Sequence, residues 1–247
     1  MSVDGMKILV TGASSGIGAH IASFLVGQGA TVAAAARRVA SLEALADEAG
    51  PALIPVAMDV GDPASVKDAT AEAARKMDGM NGLFANAGIA WTGRSVEMPD
   101  EEWDKVIDVN VNGVFRSCKA AAPIMAEGGG GAMLVTASVL SLRPGASVVA
   151  YSTSKAAAAH MVKNLALEWA RLKIRVNAIA PGYFLTEMTE GFLTSRKGEE
   201  LRNSLPMKRF GEMPDLEGPV ELLLGSKGAF ITGALLSVDG GHNCQSV

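Results

Sequence analysis

The sequence predicts an α/β fold, a Rossmann-type doubly wound sheet of about seven parallel strands with helices on both faces. Short apolar runs alternate with longer helical patterns along all 247 residues, and such alternation builds a parallel sheet covered on both sides. The first run passes directly into a glycine-rich turn and then a helical pattern. The 28 glycines and an aromatic content of 5% suit a tightly wound chain with many short turns.

Each element carries its own signal. The candidate strands are Lys7–Val10, Thr31–Ala35, Leu53–Met58, Gly82–Ala85, Ala132–Thr136, Arg175–Ala178 and Leu235–Val238. Each is a short β-type run separated from the next by a helical stretch. After the first strand, Ile17, Ile21, Phe24 and Leu25 recur at helical spacing. The third strand leads to Asp62-Pro63, an N-cap followed by proline in the first turn of a helix. The four glycines Gly128–Gly131 read as a loose turn between a helix and a strand. No linker or repeat divides the chain, so residues 1–247 are expected to form one domain.

Composition narrows the function classes. Apolar residues make up 49%, charged residues 19%, and the net charge is −4. Mild acidity without a basic tract argues against a nucleic-acid partner. No long uncharged apolar run suits a membrane span, and Met1 to Lys7 lacks a basic-then-apolar signal, so a cytoplasmic protein is expected. Cys118 and Cys244 are too few for a disulfide framework and lack metal-ligand spacing. His20, His160 and His242 have no second ligand at metal spacing, so no metal site is expected.

Two segments carry chemistry. Thr11-Gly12-Ala13-Ser14-Ser15-Gly16-Ile17-Gly18 joins the first strand to the first helix. Glycines there let the backbone turn sharply and approach a pyrophosphate, which meets the N–H groups at the helix start. A plain strand–helix connection is the alternative, but the strand before and the helix after supply the context that dinucleotide binding needs. In the second segment, Tyr151 and Lys155 stand four apart in a helix-friendly stretch and share a face. An ammonium beside a phenol favours the phenolate, which makes a general acid/base suited to a carbonyl or an alcohol.

The Gly-x-x-x-Gly-x-Gly spacing, with Thr11 in front, resembles the turn of the short-chain dehydrogenase/reductase family, and the resemblance runs along nearly the whole chain. Asp59-Val60 resembles its adenine-ring contact, and Asn86-Ala87-Gly88 the end of its Asn-Asn-Ala-Gly motif. Asn110-Val111-Asn112-Gly113 matches its Asn-x-x-Gly. Ser138 falls thirteen residues before Tyr151, Pro181-Gly182 with Thr186 follows the sixth strand, and Val238-Asp239-Gly240-Gly241 comes near the end. The resemblance implies that Asn110, Ser138, Tyr151 and Lys155 form one catalytic unit. Tyr151 would pass a proton to the substrate oxygen, Ser138 would stabilise charge on that oxygen, and Lys155 would lower the tyrosine pKa. Asn110 would anchor a water beside Lys155, and Thr186 with the backbone after Pro181-Gly182 would hold the nicotinamide carboxamide. A small-molecule carbonyl or alcohol substrate and a homotetramer are also implied.

Two positions depart from the family pattern. Ala85 replaces the first Asn of Asn-Asn-Ala-Gly, a position tied to structure rather than chemistry. Ala36 ends the second strand where NAD-preferring relatives carry an acid, and Arg37-Arg38 follows. A carboxylate there would repel a 2′-phosphate, whereas a guanidinium can hold one by charge-assisted hydrogen bonds, with Ser14 adding a neutral contact. NADP(H) is therefore expected over NAD(H), solvated surface arginines being the alternative.

The substrate side is read from an apolar segment after the sixth strand. Tyr183, Phe184, Leu185, Met188, Phe192 and Leu193 suggest a lid over residues 183–210 that closes on a pocket. Trp91, Leu140 and Leu142 are expected in its walls. Arg94 and Arg143 keep an anionic substrate open, although solvated arginines are the simpler expectation. Three other readings compete: an NAD-dependent sugar or polyol dehydrogenase, a non-catalytic dinucleotide sensor, and a different reaction on this scaffold. The intact Ser138, Tyr151 and Lys155 argue against the sensor. The family's enoyl reductases space Tyr and Lys more widely, related halohydrin lyases lack the glycine turn, and sugar epimerases carry another glycine spacing.

Overall fold

In β1 (Lys7–Thr11), Leu9 faces one layer of the core while Ile8 and Val10 face the other. The same division recurs in β5 (Gly131–Thr136), where Met133 and Val135 oppose Ala132 and Leu134. Successive side chains point to opposite faces, so strands apolar throughout require cover on both sides. The computed structural model, which describes residues 2–244, has that arrangement. The first residue and last three of the expected 1–247 domain lie outside the described residues.

The remaining strands are β2 (Thr31–Ala36), β3 (Leu53–Ala57), β4 (Gly82–Ala85), β6 (Ile174–Pro181) and β7 (Leu235–Val238). All seven run parallel in the order β3-β2-β1-β4-β5-β6-β7. β4 and β7 have the expected bounds, and most others differ by a residue at one end. β6 runs three residues further, to Pro181, because Ile179 pairs with both β5 and β7 and Ala180 and Pro181 pair with β7.

The helices are α1 (Gly16–Gly27), α2 (Val39–Ala49), α3 (Pro63–Lys76), α4 (Asp100–Ile107), α5 (Gly113–Glu127), α6 (Val149–Trp169), α7 (Glu190–Leu193), α8 (Arg196–Ser204) and α9 (Glu217–Leu224). On one face, Ala73 of α3, Cys118 and Met125 of α5, and Val162 and Ala166 of α6 pack on Leu9, Met133 and Val135. On the other, Ile21 and Leu25 of α1, Leu42 of α2 and Leu223 of α9 pack on Ile8, Val10 and Leu134. Each fully buried leucine or isoleucine contributes about 1.5–3 kcal/mol, so these two layers hold the sheet. Asp62 caps α3 by accepting from the Ala64 N–H at 2.9 Å, with Pro63 behind it. Burial pushes the Cys118 thiol up to about 12, so it behaves as an inert packing group.

Strand order reverses between β1 and β4, and the crevice beyond the strand ends at that switch point is where open α/β sheets bind ligands. The segment between β6 and α9 folds over it, carrying α7 and α8. Of the expected lid residues, Phe184, 4% exposed, borders the cleft of Tyr151 and also packs into the α1/α9 core layer, and Leu193 is buried. Leu185, Met188 and Phe192 are exposed. Phe184 acts as an anchor, reinforced by the Gly211 N–H donating to the Tyr183 carbonyl at 2.9 Å. A Cβ on Gly211 would lie 2.4 Å from the Phe184 ring, so the return of the segment needs glycine there.

Candidate active site

The site assembles from four strand ends. Gly12 leaves β1 at φ +68°, in the left-handed region, and a Cβ there would lie 2.7 Å from Ala87 Cα. At Gly18 a Cβ would fall 2.2 Å from the Gly12 carbonyl oxygen. Asn86 ties these ends together: its Nδ2 donates to the carbonyls of Thr11 (3.3 Å) and Gly12 (3.4 Å), and its Oδ1 accepts from Thr136 Oγ1 at 3.1 Å. The backbone N–H groups of Asn86 and Ala87 both donate to Thr11 Oγ1. Ala85, where the family has another Asn, is simply buried in the core, and Asn86 makes the cross-strand contacts. The Asp59 carboxylate accepts from the Gly61 N–H at 2.9 Å, and Val60 is buried under Gly113.

The fit to a dinucleotide rests on the helix start. α1 begins at Gly16 with no side-chain cap and no acid in its first turn, which leaves its first N–H groups and the positive end of its dipole for an anion. The second arginine, not the first, reaches this turn. Arg38 Nε donates to Ser14 Oγ (3.2 Å), and Nη2 donates to Ser15 Oγ (2.7 Å) and Glu187 Oε2 (3.1 Å). Arg37 is exposed.

Ser138, Tyr151 and Lys155 line one cleft of about 400 Å³ together with Ser15, Gly16, Ile17, Asn86, Gly88, Pro181, Gly182 and Thr186. Lys155, 3% exposed, donates from Nζ to the Thr136 carbonyl at 2.7 Å and stands 5.7 Å from the centre of the Tyr151 ring. Burial lowers its pKa to about 8. Burial pushes the Tyr151 phenol up, while the Ser138 hydroxyl pulls the other way and the nearby Tyr183 adds to the rise. Desolvation is the largest influence on both groups. Ser138 itself is held by a capping box: its Oγ accepts from the Leu140 N–H, and its N–H donates to Ser141 Oγ.

Asn110 sits in a π-helical stretch, Asp108–Asn112, between α4 and α5. Such wide turns frequently occur at functional sites. Its Nδ2 donates to the Ile89 carbonyl (2.8 Å) and Ser154 Oγ (2.9 Å), and its Oδ1 accepts from the Ile89 N–H (2.8 Å). One Oδ1 lone pair remains. A Cβ on Gly88 would lie 3.3 Å from both Asn110 Oδ1 and Lys155 Nζ, so the space between those groups opens beside Gly88.

A family model described as Enoyl-(Acyl carrier protein) reductase matches residues 12–243. The 2-dehydro-3-deoxy-D-gluconate 5-dehydrogenase of Bacillus subtilis (strain 168) is 34% identical over 243 residues, covering 97% of this chain and 95% of that one. The chain belongs to the short-chain dehydrogenase/reductase family. Two solved structures of related proteins share its fold. The 3-ketoacyl-(acyl-carrier-protein) reductase from Brucella melitensis, complexed with NADH, is 33% identical with a TM-score of 0.92, covering 98% of this chain and all of that one. A gluconate 5-dehydrogenase from Burkholderia cenocepacia J2315, in complex with NADP and tartrate, is 29% identical with a TM-score of 0.93, covering 98% and 97%. This short-chain dehydrogenase/reductase is therefore an oxidoreductase of the kind that acts on CH–OH groups, and its neighbours bind a nicotinamide dinucleotide.

Within this short-chain dehydrogenase/reductase several residues depart from, or escape, the sequence reading. Trp91, Leu140 and Leu142 do not line the cleft of Tyr151. Leu140 and Leu142 border a shallow outer surface beside Ser152 and Thr153, and Trp91 folds over Gly93 of its own loop. Arg94 is solvated as expected, its side chain 76% exposed and paired with Glu97. Arg143 is not: it is half-buried, and its Nη1 donates to the His242 carbonyl at 2.6 Å. His242 is buried against the Tyr183 ring, with centroids 5.4 Å apart. Glu187, Thr136 and Ser154 also make site contacts, but no sequence motif marks them. Among the described residues no three His, Cys, Asp or Glu side chains are grouped to hold a metal, and no helix is long and apolar enough to cross a membrane.

Proposed function

We propose that the protein is an NADP(H)-dependent oxidoreductase that interconverts a ketone and a secondary alcohol, with Tyr151 as general acid/base. The observation that carries this reading is the meeting of Ser138, Tyr151 and Lys155 in one cleft with the uncapped start of α1. The bound dinucleotide supplies or accepts the hydride. In the reducing direction the Tyr151 hydroxyl donates its proton to the substrate oxygen, and the Ser138 hydroxyl stabilises the charge developing there. Lys155, with a pKa of about 8, is poised to pass a proton near neutral pH. The free lone pair on Asn110 Oδ1 offers a place for a water that links Lys155 to solvent. Ser14, Ser15, Gly16, Ile17, Asn86 and Gly88 would border the dinucleotide, with Thr186 and the Pro181-Gly182 backbone at its nicotinamide end.

The phosphorylated cofactor is supported by the absence of an acid at Ala36 and by Arg38, whose guanidinium rests on Ser14 and Ser15. Ketone reduction is favoured over enoyl reduction by the four-residue Tyr151–Lys155 step and by the Ser138 hydroxyl beside the phenol, an arrangement for protonating oxygen. The NAD-dependent sugar or polyol reading has one observation in its favour: Glu187 already occupies the guanidinium that a 2′-phosphate would take. Comparing kcat/KM for NADPH and NADH over a panel of ketones, keto acids and sugars separates the readings. A clear NADH preference overturns the cofactor assignment.

The homotetramer is proposed as well. Phe115 on α5 and Val149 and Leu167 on α6 are exposed apolar side chains on long helices, and Phe230 stands fully exposed shortly before β7. Sedimentation at micromolar concentration tests it. A cytosolic location goes with use of the reduced nicotinamide pool, and cell fractionation tests that.

A further inference from the structure

Several exposed arginines pair within a turn of their own helix, as Arg196 does with Glu200 and Arg202 with Glu199. Arg116 on α5 reaches across the fold instead. Its Nη1 donates to the carbonyls of Gly61 (2.9 Å) and Val60 (3.2 Å), and its Nη2 lies 2.8 Å from Asp108 Oδ1. The two carbonyls belong to the loop that leaves β3, whereas Asp108 opens the π-helical stretch that carries Asn110. The Arg116 side chain is only 24% exposed, so these charge-assisted bonds form in a partly dried gap and weigh more than a pair at the open surface.

The seam around Arg116 is shaped to match. Val60 packs on Gly113, the residue after the π-helical stretch, and a Cβ there would lie 3.0 Å from the Val60 side chain. A Cβ on Gly61 would lie 3.4 Å from Asp108 Oδ2. The loop is fixed within itself, because the Asp59 N–H donates to Ser65 Oγ and the Gly61 N–H to Asp59 Oδ1, both at 2.9 Å. On the other side, Asn112 Nδ2 donates to Asp108 Oδ1 at 3.0 Å. Two residues beyond Asp108, Asn110 holds Ile89 and Ser154. A continuous path of hydrogen bonds and one short turn thus runs from Val60 and Gly61 through Arg116 and Asp108 to Asn110. One end lies after β3, at the strand ends where open α/β sheets carry their ligands. The other lies beside Gly88 and Lys155. Segments joined in this way bias one another, so that ordering one orders the other.

We propose that Arg116 is a positioning residue that couples the adenine end of the dinucleotide site to the Asn110 turn, so that seating the adenosine half fixes Asn110. This inference rests on the reading of the cleft as a dinucleotide site with its adenine end at Asp59-Val60. The test uses the adenosine half alone, adenosine 2′,5′-bisphosphate or 5′-AMP, with the full chain as wild type, Arg116→Met, Arg116→Lys, Asp108→Asn and Arg94→Gln. Amide hydrogen exchange is followed at Ile89 and at residues 108–113, with and without saturating fragment. In the wild type the fragment should slow exchange there by about threefold or more, the lower end of such couplings. Arg116→Met should lose that response even when saturated, Arg116→Lys should recover part of it, and Arg94→Gln should behave as the wild type. With saturating NADPH and a reactive ketone, Arg116→Met should lower kcat on the order of tenfold and raise its solvent isotope effect. A merely structural arginine would lower the melting temperature and leave both readings unmoved. If Arg116→Met does not fold, Arg116→Lys and Asp108→Asn carry the same comparison, each with a reduced response. A bound fragment that leaves exchange at Ile89 and 108–113 unmoved, or slows it equally in wild type and variants, overturns the coupling and leaves the oxidoreductase reading standing. A wild type that binds neither fragment nor dinucleotide overturns that reading and the coupling with it.

Discussion

Arg38 and Glu187 form an ion pair across the mouth of the dinucleotide cleft, with Nη2 3.1 Å from Oε2. One partner follows β2 and the other lies in the segment after β6, so the pair joins the glycine turn to the segment that carries α7 and α8. The guanidinium holds the Glu187 carboxyl below its ordinary range, with Ser15 contributing. If a 2′-phosphate takes the same guanidinium, Glu187 is its competitor. Glu187→Gln should then lower the KM for NADPH by up to roughly fivefold, as befits an exposed pair, and leave that for NADH nearly unmoved. Arg38→Ala should raise the KM for NADPH by about tenfold or more, the loss of a charge-assisted contact. Equal effects on the two cofactors would remove Arg38 from the phosphate site.

Tyr151→Phe should reduce turnover by about 10²–10⁴-fold, the usual contribution of a positioned general acid. Dinucleotide affinity, followed by fluorescence titration, should change little because the glycine turn is untouched. A variant that keeps most of its activity would show that another group protonates the substrate oxygen.

Lys155 makes stability depend on alkaline pH. Its folded pKa of about 8 lies below the ordinary lysine value of 10.5, so the native state sheds a proton that the unfolded chain retains. Stability should therefore rise with pH between about 8 and 10.5, and the burial cost is fully present below that window. Relative to Lys155→Met, the wild type should gain on the order of 3 kcal/mol across it, because each tenfold loss of proton affinity on folding is worth about 1.4 kcal/mol. Denaturant unfolding at a series of pH values checks this, and a flat difference would contradict the lowered pKa.

Gly88 offers a way to close the gap between Asn110 and Lys155 without removing either. The added methyl of Gly88→Ala would sit 3.3 Å from Asn110 Oδ1 and from Lys155 Nζ, filling the gap proposed to hold a water. Turnover should fall about tenfold or more, and its solvent isotope effect should rise as proton delivery becomes limiting. Unaltered turnover and isotope effect would exclude a proton route through that gap.

The strands were legible because each is apolar on both faces and bounded by turn residues, a pattern that parallel sheets impose. The meeting of Tyr151 and Lys155 in one cleft beside the glycine turn was legible as well, since the two share a helix face and the turn has fixed spacing. Side-chain destinations were harder. Leu193 reads as a lid residue because an apolar side chain after a strand gives no sign of whether it covers a pocket or anchors the segment. Arg143 read as solvated because its partner, the His242 carbonyl, is 99 positions away. Arg37 and Arg38 are adjacent in sequence, and only the exit angle of β2 decides which one reaches Ser15.

The wide turn at Asp108–Asn112 exposes Asn110 to a kind of change that substitution scans do not sample. Removing a single residue there would let α4 and α5 join as one regular helix, because a wide turn of this kind is how a helix absorbs one extra residue. Asn110 would then leave Ile89 and Ser154 although no catalytic side chain had been altered. Chain length at this one point is therefore as much a determinant of the proton route as the identity of the residues along it.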